Sequence, residues 1–486
     1  MTKYLLGIDA GHTVTKAVLF NELGEQIQVG RGSNEQLSPH PAWQERSMEE
    51  ALRAATDAVR SATQGIDPDK IVGIGVCGHS DGLYILDKNQ KPFRNAILAT
   101  DNRADQISTE LAESIGARLL ELIGQHLFPA SPAALLLWLR KNEPEVFQQI
   151  GAVMHCKDWI RFGLTGVLGT DVSDASGSFA DMNSHMWSDE TLEITGLTEL
   201  KDALPPLHFS DEIVGYLTEE SAKACGLKVG IPVIAGAHDV HAAAVGVGAY
   251  GFGEASLIFG TWSINQVFAS EPKPDLRWHT RASIAPNRWL HMSTSPTSAS
   301  NANWFWDLIG VKDLTELTTL LDSLESVILQ EDRPLYFPYL FGGPAGSNTG
   351  AQFIDLRGWH SAEHLAASVI EGVIFNHKHH LDMLATKLDM NDRLIATGGS
   401  IQSPVWAQLI ADIFQREIGI SDTEESGARG MAILSGVAVG IFESLDQAIK
   451  STTRISRVVN PNVDRKDYFN QRYEKYRLHA LDLLGI

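Results

Sequence analysis

A short apolar strand, a turn bearing glycine and hydroxyl groups, and a returning strand occur twice in this 486-residue chain, roughly 250 residues apart. In the first copy Leu5, Leu6 and Ile8 lead into Asp9-Ala10-Gly11-His12-Thr13, and Ala17–Phe20 returns. In the second, Ala255–Phe259 leads into Gly260-Thr261-Trp262-Ser263, and Ile264 to Phe268 returns. Such a recurrence predicts two similar lobes, although unrelated β-hairpins give the same local pattern. Between the copies strands and helices alternate, which implies an α/β architecture. Met48–Ala62, Ala133–Leu139 (stopped near Pro144), Ala242–Val247 and Glu363 to Leu388 read as helices, and Ile71–Val76 and Val233–Ala237 as buried strands. The glycine-rich stretch Gly246–Gly253 marks the lobe boundary, giving an N-terminal lobe 1–247 and a C-terminal lobe 248–486.

Composition removes several function classes. Cys77, Cys156 and Cys225 lie far apart, so neither a zinc site nor a disulfide framework is indicated, and a reducing compartment fits. The apolar stretch Tyr4–Ile8 is too short for a signal peptide. No apolar run reaches the roughly 18 residues of a membrane span. A net charge of −21 argues against nucleic acid or an anionic membrane as a general partner. A cytoplasmic location is expected.

Four segments carry candidate chemistry. In Asp9-Ala10-Gly11-His12-Thr13-Val14-Thr15-Lys16, Gly11 in a tight turn exposes backbone N–H groups that can cradle phosphate. Thr13 and Thr15 offer hydroxyls, Lys16 a charge, and Asp9 a ligand for Mg²⁺. A structural β-turn is the plain alternative. The P-loop pattern GxxxxGK[ST] is absent. Gly260-Thr261-Trp262-Ser263 repeats the turn chemistry. Ile395 to Pro404 reads as a strand ending at Gly398-Gly399, then a helix with Ser403 as N-cap and Pro404 at its first position. That geometry lets a flat base or a phosphate approach the backbone, and an ordinary αβ turn also fits. Ala235-Gly236-Ala237-His238-Asp239-Val240 places a carboxylate after a strand, where catalytic groups collect in α/β folds and where helix caps are also common.

Taken in order, the four segments resemble the FGGY carbohydrate kinases, with the L-xylulose kinase, erythritol kinase and xylulokinase-like branches nearest. The supporting stretches are Lys157-Asp158-Trp159-Ile160 through Leu164-Thr165-Gly166, with Thr170-Asp171, Ser173 and Ala175-Ser176. Phe353, Leu356, His364-Leu365, Ser368 and Glu371-Gly372 follow the family's C-terminal signature, with Asp355 where Gly is usual. Gly398-Gly399, Ser403, Trp406-Ala407-Gln408 and Ala411-Asp412 are similar to its adenosine block. The resemblance implies a two-lobed, actin-like ATPase (ribonuclease H-like) fold with the active site in the interdomain cleft. It implies transfer of the γ-phosphoryl group of ATP, with Mg²⁺, to a hydroxyl of a small sugar or polyol. A ketopentose such as L-xylulose or xylulose is the expected acceptor, with erythritol or another polyol as the alternative.

By the same resemblance Asp239 is the general base and Asp9 organises Mg²⁺ and the triphosphate. Gly11, His12, Thr13, Thr15 and Lys16 form the first phosphate loop, with His12 replacing a hydroxyl residue and Lys16 an Arg. Gly260 and Thr261 meet the transferred phosphoryl group, and Ala299, Asn303, Gly398, Gly399 and Ser403 line the nucleotide site. His79, Ser80 and Asp81, in a segment that departs from the family's usual Gln-Met-His-Gly or Gln-Arg-Glu-Thr, contact the sugar with Asp239 and Val240. The Asp81 carboxylate favours a neutral ketose or polyol over a sugar acid unless a Lys or Arg elsewhere supplies a counter-charge. A homodimer is the assembly kept open. The rivals are a non-catalytic sugar sensor and an actin- or Hsp70-like ATPase. His377, His379 and His380 are read as a solvated helix face rather than a metal site.

Overall fold

The computed structural model describes residues 2–343 and 349–484. The chain forms two compact units. The first comprises Met1–Tyr250, Ala269–Leu290 and Glu425–Arg454, and the second Gly251–Phe268, His291–Glu424 and Ile455–Ile486. The first crossing falls inside the stretch Gly246–Gly253, and two later segments, 269–290 and 425–454, belong with the first unit. No local composition marks those two returns.

Each unit is built on a mixed sheet of the same plan. In the first, Tyr4–Ala10 pairs antiparallel with Val14–Asn21, which pairs antiparallel with Gln26–Ser33. On its other side Tyr4–Ala10 runs parallel to Ile71–Gly78, which runs parallel to Pro232–Ile234 and Ala237–His238. Ile213–Tyr216 closes the edge antiparallel. In the second, Ala255–Phe259 pairs antiparallel with Ser263–Ala269, whose other neighbour is Trp289–Ser295. Ala255–Phe259 runs parallel to Leu394–Thr397, then Ile418–Ser421 follows parallel and Ile455–Val459 antiparallel. Both recurring motifs are therefore hairpins that lead a parallel core.

The helix Met48–Ala62 has the expected bounds. Ser47 caps it by accepting from the Glu50 N–H, and its Ala-rich face (Ala51, Ala55, Ala58, Ala62) packs into the core with Leu6, Ile8, Ala17 and Leu19. The long helix spans Ala362–Leu384 and stops four residues before Leu388. The strand expected over Val233–Ala237 is broken in two. Gly236 sits at φ +81°, and a Cβ there would fall 1.9 Å from the Val76 carbonyl oxygen, so the chain kinks where only glycine fits. The helix Asp239–Val247 follows this kink. It crosses the helix Ser426–Ala438 closely enough that a Cβ at Gly246 would lie 1.9 Å from the Ser426 carbonyl oxygen, and one at Gly430 2.0 Å from that of Ala242.

The expectation of a solvated histidine face is wrong. His377 and His380 are 0% and 1% exposed. His377 bonds the Ser298 hydroxyl at 2.8 Å and the Asn265 amide oxygen at 2.8 Å, and His380 bonds Ser293 at 2.8 Å. Burial pushes His377 down to about 3, so it is a neutral core residue satisfied by polar side chains from neighbouring elements.

Candidate active site

Strand register assembles the site in the first unit. Asp9 lies opposite Cys77, and Ala10 opposite Gly78. Ala237 also lies opposite Cys77, and His238 opposite Gly78. Three parallel strands thus end at one level, and the next residues of each, Gly11-His12, His79-Ser80-Asp81 and Asp239, gather at the carboxyl edge of the sheet. That edge is where α/β sheets place ligands.

Asp9 keeps some exposed surface, yet desolvation, with the negative charges of Asp239 and Glu425, pushes its carboxyl up to about 7 against the pull of Lys16. Gly427, in the first turn of the helix Ser426–Ala438, lies so near that a Cβ would meet Asp9 Oδ2 at 2.7 Å. Asp239 is the first residue of its helix, with a side chain 35% exposed and Oδ1 3.2 Å from His238 Nε2. Val240 behind it is buried.

The turn at Gly11-His12-Thr13 is held from outside itself. Arg46, 1% exposed, donates to the Gly11 and His12 carbonyls. Asn34 Nδ2 donates to the Gly11 carbonyl at 3.2 Å and to the Thr15 hydroxyl at 2.9 Å. Thr15 is 1% exposed, so its hydroxyl braces the turn, while Thr13 is exposed. Lys16 pairs with Glu425 at 2.7 Å. His12 stacks on His79 with ring centroids 4.2 Å apart. Burial, then Arg46, pushes His12 down to about 4, and burial, then His12, holds His79 well below the usual imidazole range.

The segment His79-Ser80-Asp81 gains a partner that the sequence did not reveal. Asp81, in the left-handed region at φ 59°, pairs with Arg281 at 3.0 and 3.3 Å. Arg281 also donates to the Ser80 hydroxyl at 2.8 Å and, through Nε, to the Gln125 amide oxygen at 3.0 Å. His279 bonds the same Gln125 oxygen at 3.1 Å. The counter-charge that the sequence left as a condition is therefore present, and the Asp81 carboxylate by itself no longer argues against a sugar acid.

The second unit gathers the other predicted residues. Ile258 pairs with Thr397, so the turn at Gly260 adjoins the turn at Gly398. The Gly260 and Thr261 carbonyls accept from the Ala299 and Ser298 N–H groups, both at 3.0 Å, ahead of the helix Ser300–Leu308. Ala299 is buried, while Thr261 and Asn303 are exposed. Gly398 is at φ 118°, with the Phe259 carbonyl oxygen 2.4 Å from where a Cβ would stand, whereas a Cβ at Gly399 would meet nothing within 4 Å. Ser403 holds the N-cap position of the helix Pro404–Phe414, but its side chain makes no capping hydrogen bond.

Residues 4–246 match the N-terminal domain of the FGGY family of carbohydrate kinases, and residues 255–439 its C-terminal domain. The chain is 32% identical over 487 residues to the L-xylulose/3-keto-L-gulonate kinase of Escherichia coli (strain K12), covering 98% of this chain and 96% of that one. It is 30% identical over 491 residues to the xylulose kinase of the same strain, covering 99% of each. The solved xylulose kinase from Rhodospirillum rubrum superposes with a TM-score of 0.90 at 24% identity over 99% of both chains, a likeness of fold.

The chain belongs to the FGGY family of carbohydrate kinases. It is a two-domain α/β enzyme of the actin-like ATPase fold that phosphorylates a sugar at the expense of ATP. The sensor and protein-moving ATPase rivals fall with that assignment. No helix among the described residues is long and apolar enough to cross a membrane.

Proposed function

We propose that this kinase phosphorylates a hydroxyl of a neutral ketopentose of the xylulose type, in the cytoplasm, with Asp239 as general base. The observation that carries the reading is the common register of Asp9, Cys77 and Ala237, which sets Asp239 beside the His79–Asp81 segment and the Gly11 turn. The xylulose and L-xylulose names of the relatives support the acceptor class, and the Asp81–Arg281 pair offers hydroxyls a polar group of zero net charge.

The groups around Asp9 suit Mg²⁺. Its carboxyl is raised toward 7 by desolvation and by acidic neighbours, which marks a place short of positive charge, and its donors are the hard oxygens that Mg²⁺ prefers. Asp9 would hold the ion, with Asp239 close enough to share its field. When bound, Mg²⁺ supplies charge neutralisation at the phosphoryl oxygens. Asp239 accepts the proton of the attacking hydroxyl from within roughly 2.6–3.2 Å. His12 and His79 stay neutral at working pH, so they act as hydrogen-bonding groups rather than charges. Gly11, Thr13, Gly260 and Thr261 serve the phosphates, with Thr15 and Lys16 bracing the first turn. Ala299, Asn303, Gly398, Gly399 and Ser403 serve the nucleoside.

The test is a panel of C4 to C6 ketoses, polyols and keto-acids with Mg·ATP, scored by kcat/KM. A ketopentose should lead. A keto-acid or tetritol leading by tenfold or more overturns the acceptor assignment.

A further inference from the structure

The kink before Asp239 hangs from a single buried carboxylate oxygen. Asp171 Oδ2 accepts from the Ser173 hydroxyl at 2.6 Å and from the Ser210 hydroxyl at 2.7 Å. The Ser173 oxygen in turn accepts the His238 N–H at 2.9 Å. The Ser210 carbonyl accepts the Gly236 N–H at 3.1 Å. Both anchored N–H groups therefore flank Ala237, one and three residues before Asp239.

Asp171 is itself fixed. Its Oδ1 lies 2.9 Å from Lys157 Nζ, which also pairs with Asp158 at 2.6 Å and Asp174 at 3.1 Å. The Ser173 N–H adds a bond to Oδ2 at 3.0 Å. Lys157, Asp158, Asp171, Ser173, Asp174 and Ser210 are all 0% exposed. Charge-assisted bonds of this kind are short and directional, and Asp171, bonded through both oxygens, is held rigidly by them, while Asp174 meets Lys157 as an ion pair only. Hydroxyl chemistry sets the polarity. Because Ser173 spends its proton on Asp171, its oxygen is left to accept, and it accepts from the His238 amide. His155, Asp158 and Asp174 are close enough together to hold a metal, but Lys157 already pairs with two of them, Asp158 and Asp174, so the cluster reads as scaffolding around a fixed ammonium.

We infer that Asp171, Ser173 and Ser210 are positioning residues that set the height and direction of the Asp239 carboxylate at the sheet edge. Lys157, 2.9 Å from the other carboxylate oxygen of Asp171, fixes the orientation in which Oδ2 meets the two hydroxyls. The inference rests on the reading of Asp239 as base. None of these residues touches substrate, so their loss acts on the chemical step. Displacement of a reacting group by about 1 Å costs on the order of 10²-fold.

The experiment compares Ser173→Ala, Ser210→Ala and Asp239→Asn, alone and combined, in steady-state kinetics with the best sugar from the panel. Ser173→Ala should lower kcat by about 10- to 100-fold, with KM for sugar and ATP within about threefold. Ser210→Ala, which keeps the backbone carbonyl and removes one donor to Asp171, should show the same split with a smaller loss. Added to Asp239→Asn, either change should lower kcat little further, because the group they position is already gone. Ser173→Thr, which keeps the hydroxyl, should recover most of the rate. A Ser173→Ala enzyme with unchanged kcat, beside an inactive Asp239→Asn, overturns the inference and spares the base. Full additivity with Asp239→Asn, or a loss shared between KM and kcat together with lowered thermal stability in both serine variants, also overturns it. An active Asp239→Asn enzyme removes the base assignment itself, and the inference with it.

Discussion

One guanidinium nitrogen of Arg281, Nη2, donates to both oxygens of the Asp81 carboxylate, at 3.0 and 3.3 Å, across 200 residues of sequence. The pair is buried, with Arg281 1% and Asp81 7% exposed. Gly177 makes room for it: a Cβ there would stand 3.2 Å from Asp81 Oδ1 and 3.3 Å from Arg281 Nη1. Removing one member of such a pair leaves the other charged, buried and unpaired, which costs more than the pair contributes.

Arg281→Met should therefore lower kcat/KM for the sugar by roughly tenfold or more, as the loss of a buried charged partner implies. KM for ATP should stay within about threefold. Thermal unfolding should move down as well, and Asp81→Asn added to Arg281→Met should recover part of that stability without recovering sugar use. Steady-state kinetics and calorimetric sugar titration check it. An unchanged sugar KM in a folded Arg281→Met protein places the pair outside the sugar site.

Asp9 gives a pH signature. Its folded carboxyl sits at about 7 against an ordinary value of 3.8, so between these values the folded state holds the extra proton. By linkage Asp9 then disfavours the fold progressively as pH rises from about 4 to about 7, and levels off above. Asp9→Asn should lose that decline, seen as a difference between denaturation curves of wild type and variant across the window. A wild-type decline matched by the variant contradicts the raised carboxyl.

The same residue separates nucleotide use from sugar binding. Asp9→Ala should raise the Mg²⁺ and ATP concentrations needed for turnover by about tenfold or more, and lower kcat, because the fixed charge that orients the ion is gone. Sugar affinity by calorimetry should change by less than about threefold. Loss of sugar affinity with unchanged Mg·ATP kinetics refutes the assignment.

The paired glycines should part company. Gly398→Ala forces a Cβ 2.4 Å from the Phe259 carbonyl oxygen at a φ of 118°, so it should destabilise the protein by about 1–3 kcal/mol. Gly399→Ala meets open space, so it should leave the melting temperature unchanged and raise KM for ATP by occupying the nucleoside's approach. Equal behaviour of the two variants contradicts the placement of the nucleotide at Gly399.

Local signals carried much of the fold. The two hairpins were legible because their alternation and glycine turns are contained in about fifteen residues each, and Met48–Ala62 because Ser47 and the alanine face agree. The break at Gly236 was not, since Val233–Ala237 is apolar throughout and only the neighbouring Val76 carbonyl shows why the glycine is there. Arg281, Gln125, Arg46 and Glu425 were missed for a related reason. Each reaches the site from a distant segment, and no periodicity or motif joins Arg281 to Asp81. The small-residue run Ser426-Gly427-Ala428-Arg429-Gly430 did carry a signal of close helix packing, and it leads to Asp9. His377 and His380 misled because three histidines around a lysine look solvent-facing, while their partners Asn265, Ser293 and Ser298 lie roughly 80 to 110 residues away.

The central claim is that Asp239 takes the proton of the sugar hydroxyl. It is tested most directly by single-turnover phosphoryl transfer in Asp239→Asn, with ATP and sugar binding measured on the same preparation. The account predicts a rate lower by about 10²–10⁴-fold or more, with both affinities kept within a few-fold. A folded Asp239→Asn enzyme that transfers phosphate within tenfold of the wild-type rate would contradict it.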